Sequence, residues 1–213
     1  GFQGVLGWYM VKSGLIDNPD VSQYRLTAHF SAAVVIYGYM FWVAMCLVKV
    51  PHSTHNRPPS GLAKATVFTA VWVFLTMMSG GFVAGLDAGL TYNTFPLMDG
   101  RLVPEGLMAN SPWYLNFFEN ITTVQFDHRI LAESTLLLVA YVWWVARKSD
   151  LPMSTRTAFH ALFAMVVIQV ALGITTLLMV VPITFASLHQ AGSLVLFTFA
   201  LWAMHSLLGK AYN

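Results

Sequence analysis

His29, His128 and His189 are the residues of this sequence best suited to chemistry. An imidazole nitrogen ligates iron, copper or zinc. Each of the three opens a long apolar run: "HFSAAVVIYGYMFWVA" at His29, "HRILAESTLLLVAYVWWVA" at His128 and "HQAGSLVLFTFALWA" at His189. Acid, imidazole and guanidinium stand together at Asp127, His128 and Arg129, and all three are costly to take out of water. Their place beside such a run needs a reason. Residues three and four places on share a helical face with the histidine. They are Ala32 and Ala33, Leu131 and Ala132, Gly192 and Ser193, so the fourth place is small each time.

Two readings stand side by side. Helix bundles commonly hold cofactors between facing helices, and a haem with two axial histidines needs one from each of two helices at matched depth, with room for a flat macrocycle. The bland reading makes the histidines structural and the small residues ordinary helix packing. Zinc or copper is less favoured, because no cysteine or carboxylate cluster completes a set of ligands. In the haem reading, Arg129 pairs with a propionate at the rim; in the bland one it pairs with Glu133 one turn on. Asp127 is a candidate helix cap, or it orients an imidazole through the second ring nitrogen, as Gln190 also could. Of the other four histidines, His52 and His55 read as solvated loop residues, and His160 and His205 as interfacial residues near inner helix ends.

The elements that must position these residues are membrane-spanning helices. The 213 residues are 57% hydrophobic and 9% charged, too few charges to cover a water-facing surface, given that about 25% is usual. The net charge of +2 is too small and scattered for a nucleic-acid partner, and the single cysteine, Cys46, excludes disulfides within the chain and thiolate clusters. Spans are expected near 1–13 (short), 27–48, 64–86, 128–146, 157–181 and 184–208. Basic residues gather at Lys49, Arg57 and Lys64, at Arg147, Lys148 and Arg156, and at Lys210. Those connections face the cytoplasm or matrix. The loops with Asp17, Asp20, Asp87, Asp99, Glu105 and Glu119 then face outward, and all three key histidines share the outer level. The outer loop 87–124 is long and rich in aromatics, including Trp113, Tyr114, Phe117 and Phe118; it is expected to lie along the interface as a lid. A weak repeat accompanies the pattern. "QGVLG" at 3–7 precedes His29, and "QVALG" at 169–173 precedes His189. The sequon "NIT" at 120–122 reads as coincidence.

Four stretches carry a resemblance: "GWYMVKSGL" and "VSQYRLTAHFSAA" at 7–33, "GGFVAGLDAGLTYNTFPLMDG" at 80–100, "FENITTVQFDHRILAE" at 118–133 and "LGITTLLMVVPITFASLHQAGSL" at 172–194. Together they resemble haem A synthase, best in its mitochondrial and alpha-proteobacterial branch. That family implies an all-α polytopic bundle of eight spans in two four-helix halves, six of them in this sequence. Residues 1–50 correspond to the remainder of the first, substrate-haem half, 51–63 to an inner connecting loop, and 64–213 to the second, haem b half. The implied activity is oxidation of the C8 methyl of haem O to a formyl group, giving haem A for cytochrome c oxidase. His128 and His189 then map to the ligands of a haem b cofactor and His29 to the substrate haem, with Arg129 holding a propionate. No catalytic residue is assigned, because the family's glutamate and the partner of His29 belong to two helices that would precede this sequence; the chain alone is expected to bind cofactor without turning over. The implied partners are haem O, membrane lipid, haem O synthase, an electron-transfer partner and a second copy of the chain. The implied membrane is the mitochondrial inner membrane, or alternatively a bacterial plasma membrane. The competing functions are a non-catalytic cytochrome b carrying electrons to quinone, and a transporter or scaffold with structural histidines.

Overall fold

The computed structural model describes residues 1–12, 21–48 and 60–208. Lys49, Arg57, His52, His55, Lys210, Asp17 and Asp20, with most of the 51–63 loop, lie outside the described residues. Outside the long outer loop the described residues are mainly helical: α1 (Phe2–Lys12), α2 (Gln23–Leu47), α3 (Ser60–Gly85), the short α4 (Asn116–Glu119), α5 (Ile121–Lys148), α6 (Met153–Leu178) and α7 (Ile183–Leu208). Five of these helices, α2, α3, α5, α6 and α7, are long and apolar enough to cross a bilayer. The sixth expected span corresponds to α1, of which 11 residues are described. The protein is an integral membrane protein, an all-α bundle of the class expected.

Four long helices close into a ring. α3 packs on α5 and α7, and α6 packs on the same two. α5 and α7 therefore stand diagonally across the ring, and so do α3 and α6. The core between them is apolar and tightly filled, with Val73, Val139, Val142, Phe159, Leu162 and Val166 almost wholly buried. Several polar groups at this depth find partners within the bundle, as lipid favours. Thr66 and Thr69 donate to the carbonyls of Leu62 and Ala65 one turn back. The Trp72 indole donates to Ser134 Oγ across α3 and α5 at 2.9 Å.

α2 lies outside the ring against α3 and α7, and α1 lies against α2. The approach of α2 to α3 is close enough to need glycine. A Cβ on Gly85 would stand 2.6 Å from Gln23 Cα, and one on Gly81 2.9 Å from Thr27 Oγ1. Lower down, the Tyr37 hydroxyl meets Thr198 Oγ1 on α7 at 2.6 Å.

The helix ends carry the expected interfacial residues. Lys12 lies over the Trp8 ring and Arg25 over Tyr9 at one side. Arg147 lies over Trp143 and Lys148 over Trp144 at the other. Cations with apolar stems over amphipathic rings are what a headgroup boundary selects. Helix starts fall earlier than the apolar runs alone imply. α5 begins at Ile121, where the Asn120 side chain accepts from the amides of Thr122 and Thr123. Asp127 is therefore not the cap. The first two turns of α5 are polar enough to have been read as loop, and they extend the helix into the outer headgroup level.

The outer loop is built, not floppy. Asn116 is fully buried; its amide nitrogen donates to the carbonyls of Asn110 and Trp113, and its Oδ1 accepts from the Asn110 amide. Asn93 reaches across to the Leu177 carbonyl at the outer end of α6. Trp113 and Tyr114 remain exposed, as interfacial aromatics would.

Candidate functional site

The three histidines lie a similar distance into their helices. His29 and His189 each lie six residues past the first residue of their helix, Gln23 and Ile183, and His128 seven past Ile121. At 1.5 Å per residue that is about 9 to 10 Å inside each helix start. His128 on α5 and His189 on α7 belong to diagonal members of the ring. His29 lies on α2, outside the ring.

His128 is held from α3. Its Nδ1 is 2.7 Å from Ser79 Oγ, and the Ser79 hydroxyl donates to the Thr76 carbonyl, also at 2.7 Å. A hydroxyl has one hydrogen. With that hydrogen committed to Thr76, Ser79 accepts from the histidine, so the ring proton sits on Nδ1 and Nε2 carries the free lone pair. That is the tautomer a metal bound through Nε2 requires.

His189 is held from α6. The Gln169 amide donates to the carbonyl of His189 at 2.7 Å and lies 3.1 Å from its Nδ1. His29 is held from α1 in the same manner. Gln3 donates to the His29 carbonyl at 2.9 Å and lies 3.1 Å from Nδ1. The two pentads of the weak repeat are thus the two helices that hold these histidines. The connection after α6 makes the alignment possible. Val180 and Val181 both adopt positive φ, 60° and 54°, a costly conformation for β-branched residues, and Pro182 follows at the start of α7. The reversal takes four residues, which brings Gln169 level with His189.

Arg129 turns to the loop. Its two terminal nitrogens donate to the carbonyls of Tyr92 and Thr94, each at 2.8 Å, and its Nε is buried without a partner. It forms no ion pair with Glu133; the Tyr92–Thr94 strand of the loop passes where the guanidinium can take two carbonyls at once. Gln125 adds a bond to the same Tyr92 carbonyl. Asp127 does not touch the histidine beside it. It lines an apolar groove of about 320 Å³ between α3 and α5, with Trp72, Phe82, Phe118 and Leu131. Gln190 is exposed and is not the partner of His189. Neighbours in sequence point about 100° apart on a helix, so the orienting groups come from the adjacent helix instead.

The remaining described histidines are structural contacts. His160 accepts from the Trp143 indole at 3.0 Å. His205 is buried, with Cys46 Sγ 3.5 Å from its Nε2 and the Trp42 ring edge-on at 4.9 Å. Among the described residues no three His, Cys, Asp or Glu side chains converge on one point. His128 on α5 and His189 on α7 offer imidazoles from diagonal helices; the Gln169 amide nitrogen is a donor only, so His189 accepts at Nδ1. Two imidazoles without a third protein ligand among the described residues fit a metal whose other ligands come from a macrocycle.

Residues 1–201 match the COX15-CtaA family, described as cytochrome oxidase assembly protein. The chain is 53% identical over 206 residues to a haem A synthase of Nitrosospira multiformis, covering 96% of this chain and 58% of that protein. It is 48% identical to the haem A synthase COX15 of Bos taurus and to that of Homo sapiens, in each case over 97% of this chain and 52% of the relative. The chain thus spans little more than half the length of these curated relatives. The chain belongs to the COX15-CtaA family of cytochrome oxidase assembly proteins.

Proposed function

We propose that this chain is part of a haem A synthase, which oxidises the C8 methyl group of haem O to a formyl group and so provides haem A for cytochrome c oxidase. The observation that carries the reading is identity of 48 to 53% along nearly the whole chain to relatives of that name, in a bundle that presents His128 and His189 from diagonal helices.

In this reading His128 and His189 would hold a haem b between α5 and α7. Held there, the haem would supply one-electron transfer, with a potential tuned by the histidines and their hydrogen bonds. Ser79 keeps the proton of His128 on Nδ1. Gln169 holds His189 against α6. Arg129 fastens residues 92–94 over the outer end of α5 and thereby limits entry of water; its cationic edge beside the His128 level is also where a propionate would be met. His29 faces the substrate haem O on the other side of the molecule. Further partners in this reading are an electron-transfer protein or quinone and a haem O synthase that hands over the substrate. The membrane is the mitochondrial inner membrane or a bacterial plasma membrane.

Chromatography of haems extracted from cells that make haem O but no haem A tests this directly. Full-length protein expressed there is expected to yield formyl haem. The His29→Ala variant is expected to lose the product and keep the b-type spectrum. Haem O alone in the wild-type extract would overturn the enzymatic reading in favour of a non-catalytic cytochrome b.

A further inference from the structure

All three histidines rest against a neighbouring helix at a glycine. A Cβ on Gly7 would lie 3.1 Å from His29 Cε1, one on Gly80 3.2 Å from His128 Cε1, and one on Gly173 2.8 Å from His189 Cε1. In each case the Cε1 edge of the ring faces bare backbone, where a side chain would meet it. Two of these glycines stand four places after a glutamine, Gln3 before Gly7 and Gln169 before Gly173. Those glutamines are the residues that hold His29 and His189.

The match between the two copies extends beyond the pentad. Both histidines lie six residues into the following helix. In both copies the glutamine Oε1 is buried without a partner. Both amide nitrogens bond the histidine's own carbonyl, an acceptor already used by its helix. A buried amide oxygen without a hydrogen bond is costly, so its recurrence at equivalent positions asks for a function that outweighs the cost. His128 has the glycine without the glutamine: its Nδ1 is taken by Ser79, next to Gly80.

We propose that Gln169 and Gly173 are positioning residues for His189, that Gln3 and Gly7 are positioning residues for His29, and that this Gln-x-x-x-Gly seat sets the ring plane each imidazole presents to a metalloporphyrin. The proposal rests on the haem reading above. The glycine lets the ring edge lie on the helix. The glutamine clamps the backbone carbonyl and fills the space beside Nδ1, so the ring cannot turn about its Cβ–Cγ bond. Outer partners that orient a ligating histidine commonly change metal affinity by about 10- to 100-fold.

The test uses full-length protein loaded with haem, with His189→Ala, Gln169→Leu, Gly173→Ala and Gln3→Leu beside the wild type. The readouts are haem content, low-temperature electron paramagnetic resonance of the oxidised protein and a redox titration. Gly173→Ala is expected to lose haem about tenfold or more, or to convert the low-spin signal to high-spin. Gln169→Leu, which nearly preserves side-chain volume and so decides the matter should Gly173→Ala fail to fold, is expected to move both the g values and the midpoint potential. Gln3→Leu is expected to leave the haem b signal unchanged and to weaken uptake of haem O. Wild-type g values and potential in both Gln169→Leu and Gly173→Ala would overturn the seat. A His189→Ala spectrum identical to wild type would overturn the haem reading beneath it, a different failure.

Discussion

The pair α1 and α2 and the pair α6 and α7 hold a histidine in the same way, yet they sit in different surroundings. In each, a glutamine and a glycine on the first helix seat a histidine on the second. Around α7 the ring is closed, and 39% of its most apolar stretch is buried; for α2 the figure is 6%. The antiparallel pair is therefore sufficient to orient an imidazole. Enclosing a second ligand opposite it takes the four-helix ring. His189 and His128 both belong to helices of that ring, whereas His29 is carried by a pair outside it, packed on α3 and α7 and bonded to α4 through Tyr24 and Glu119.

Several substitutions would break this comparison or sharpen it. The largest effect is expected at Gly85, where a new Cβ would meet the Gln23 backbone at 2.6 Å. Backbone cannot rotate aside, so Gly85→Ala should cost about 3 kcal/mol, pushing α2 from α3 while the b-type spectrum of the ring persists; thermal melting followed at both places checks it. Arg129→Ala acts on the ring instead. Two charge-assisted bonds to Tyr92 and Thr94 are lost, at about 2 kcal/mol, and hydrogen exchange at residues 92–98 should quicken without change around His29. Asn120→Ala removes the cap of α5 and should lower stability by about 1 kcal/mol in a denaturant titration. The smallest effect belongs to Thr198→Val. It deletes the acceptor of Tyr37 that ties α2 to α7, and a bond of that kind within a membrane is worth about 0.6 kcal/mol.

The bundle was legible because lipid leaves few alternatives to a long apolar helix. Helix starts were less so. Thr122, Thr123 and Gln125 read as loop, and only the Asn120 cap reveals that they begin α5. That the three histidines lie near the starts of their helices could be read from the apolar runs. Their partners could not, since Ser79 and Gln169 lie 49 and 20 residues from the histidines they meet and no local spacing links them. Asp127 and Gln190 drew attention by adjacency, which on a helix turns a side chain away. The repeat held a usable signal: "QGVLG" and "QVALG" each contain a glutamine and a glycine one turn apart, on the face that meets the next helix. Arg129 was recognisable as exceptional, but its loop partners come from 35 and 37 residues earlier.

The most direct test of the central claim, that His128 and His189 grip one haem between diagonal helices, is the oxidised and reduced optical spectrum of the purified full-length protein beside His128→Ala and His189→Ala. A sharp low-spin b-type spectrum in the wild type, lost in each variant, is the predicted result. Full retention of that spectrum in either variant, or a wild type without colour, would contradict it.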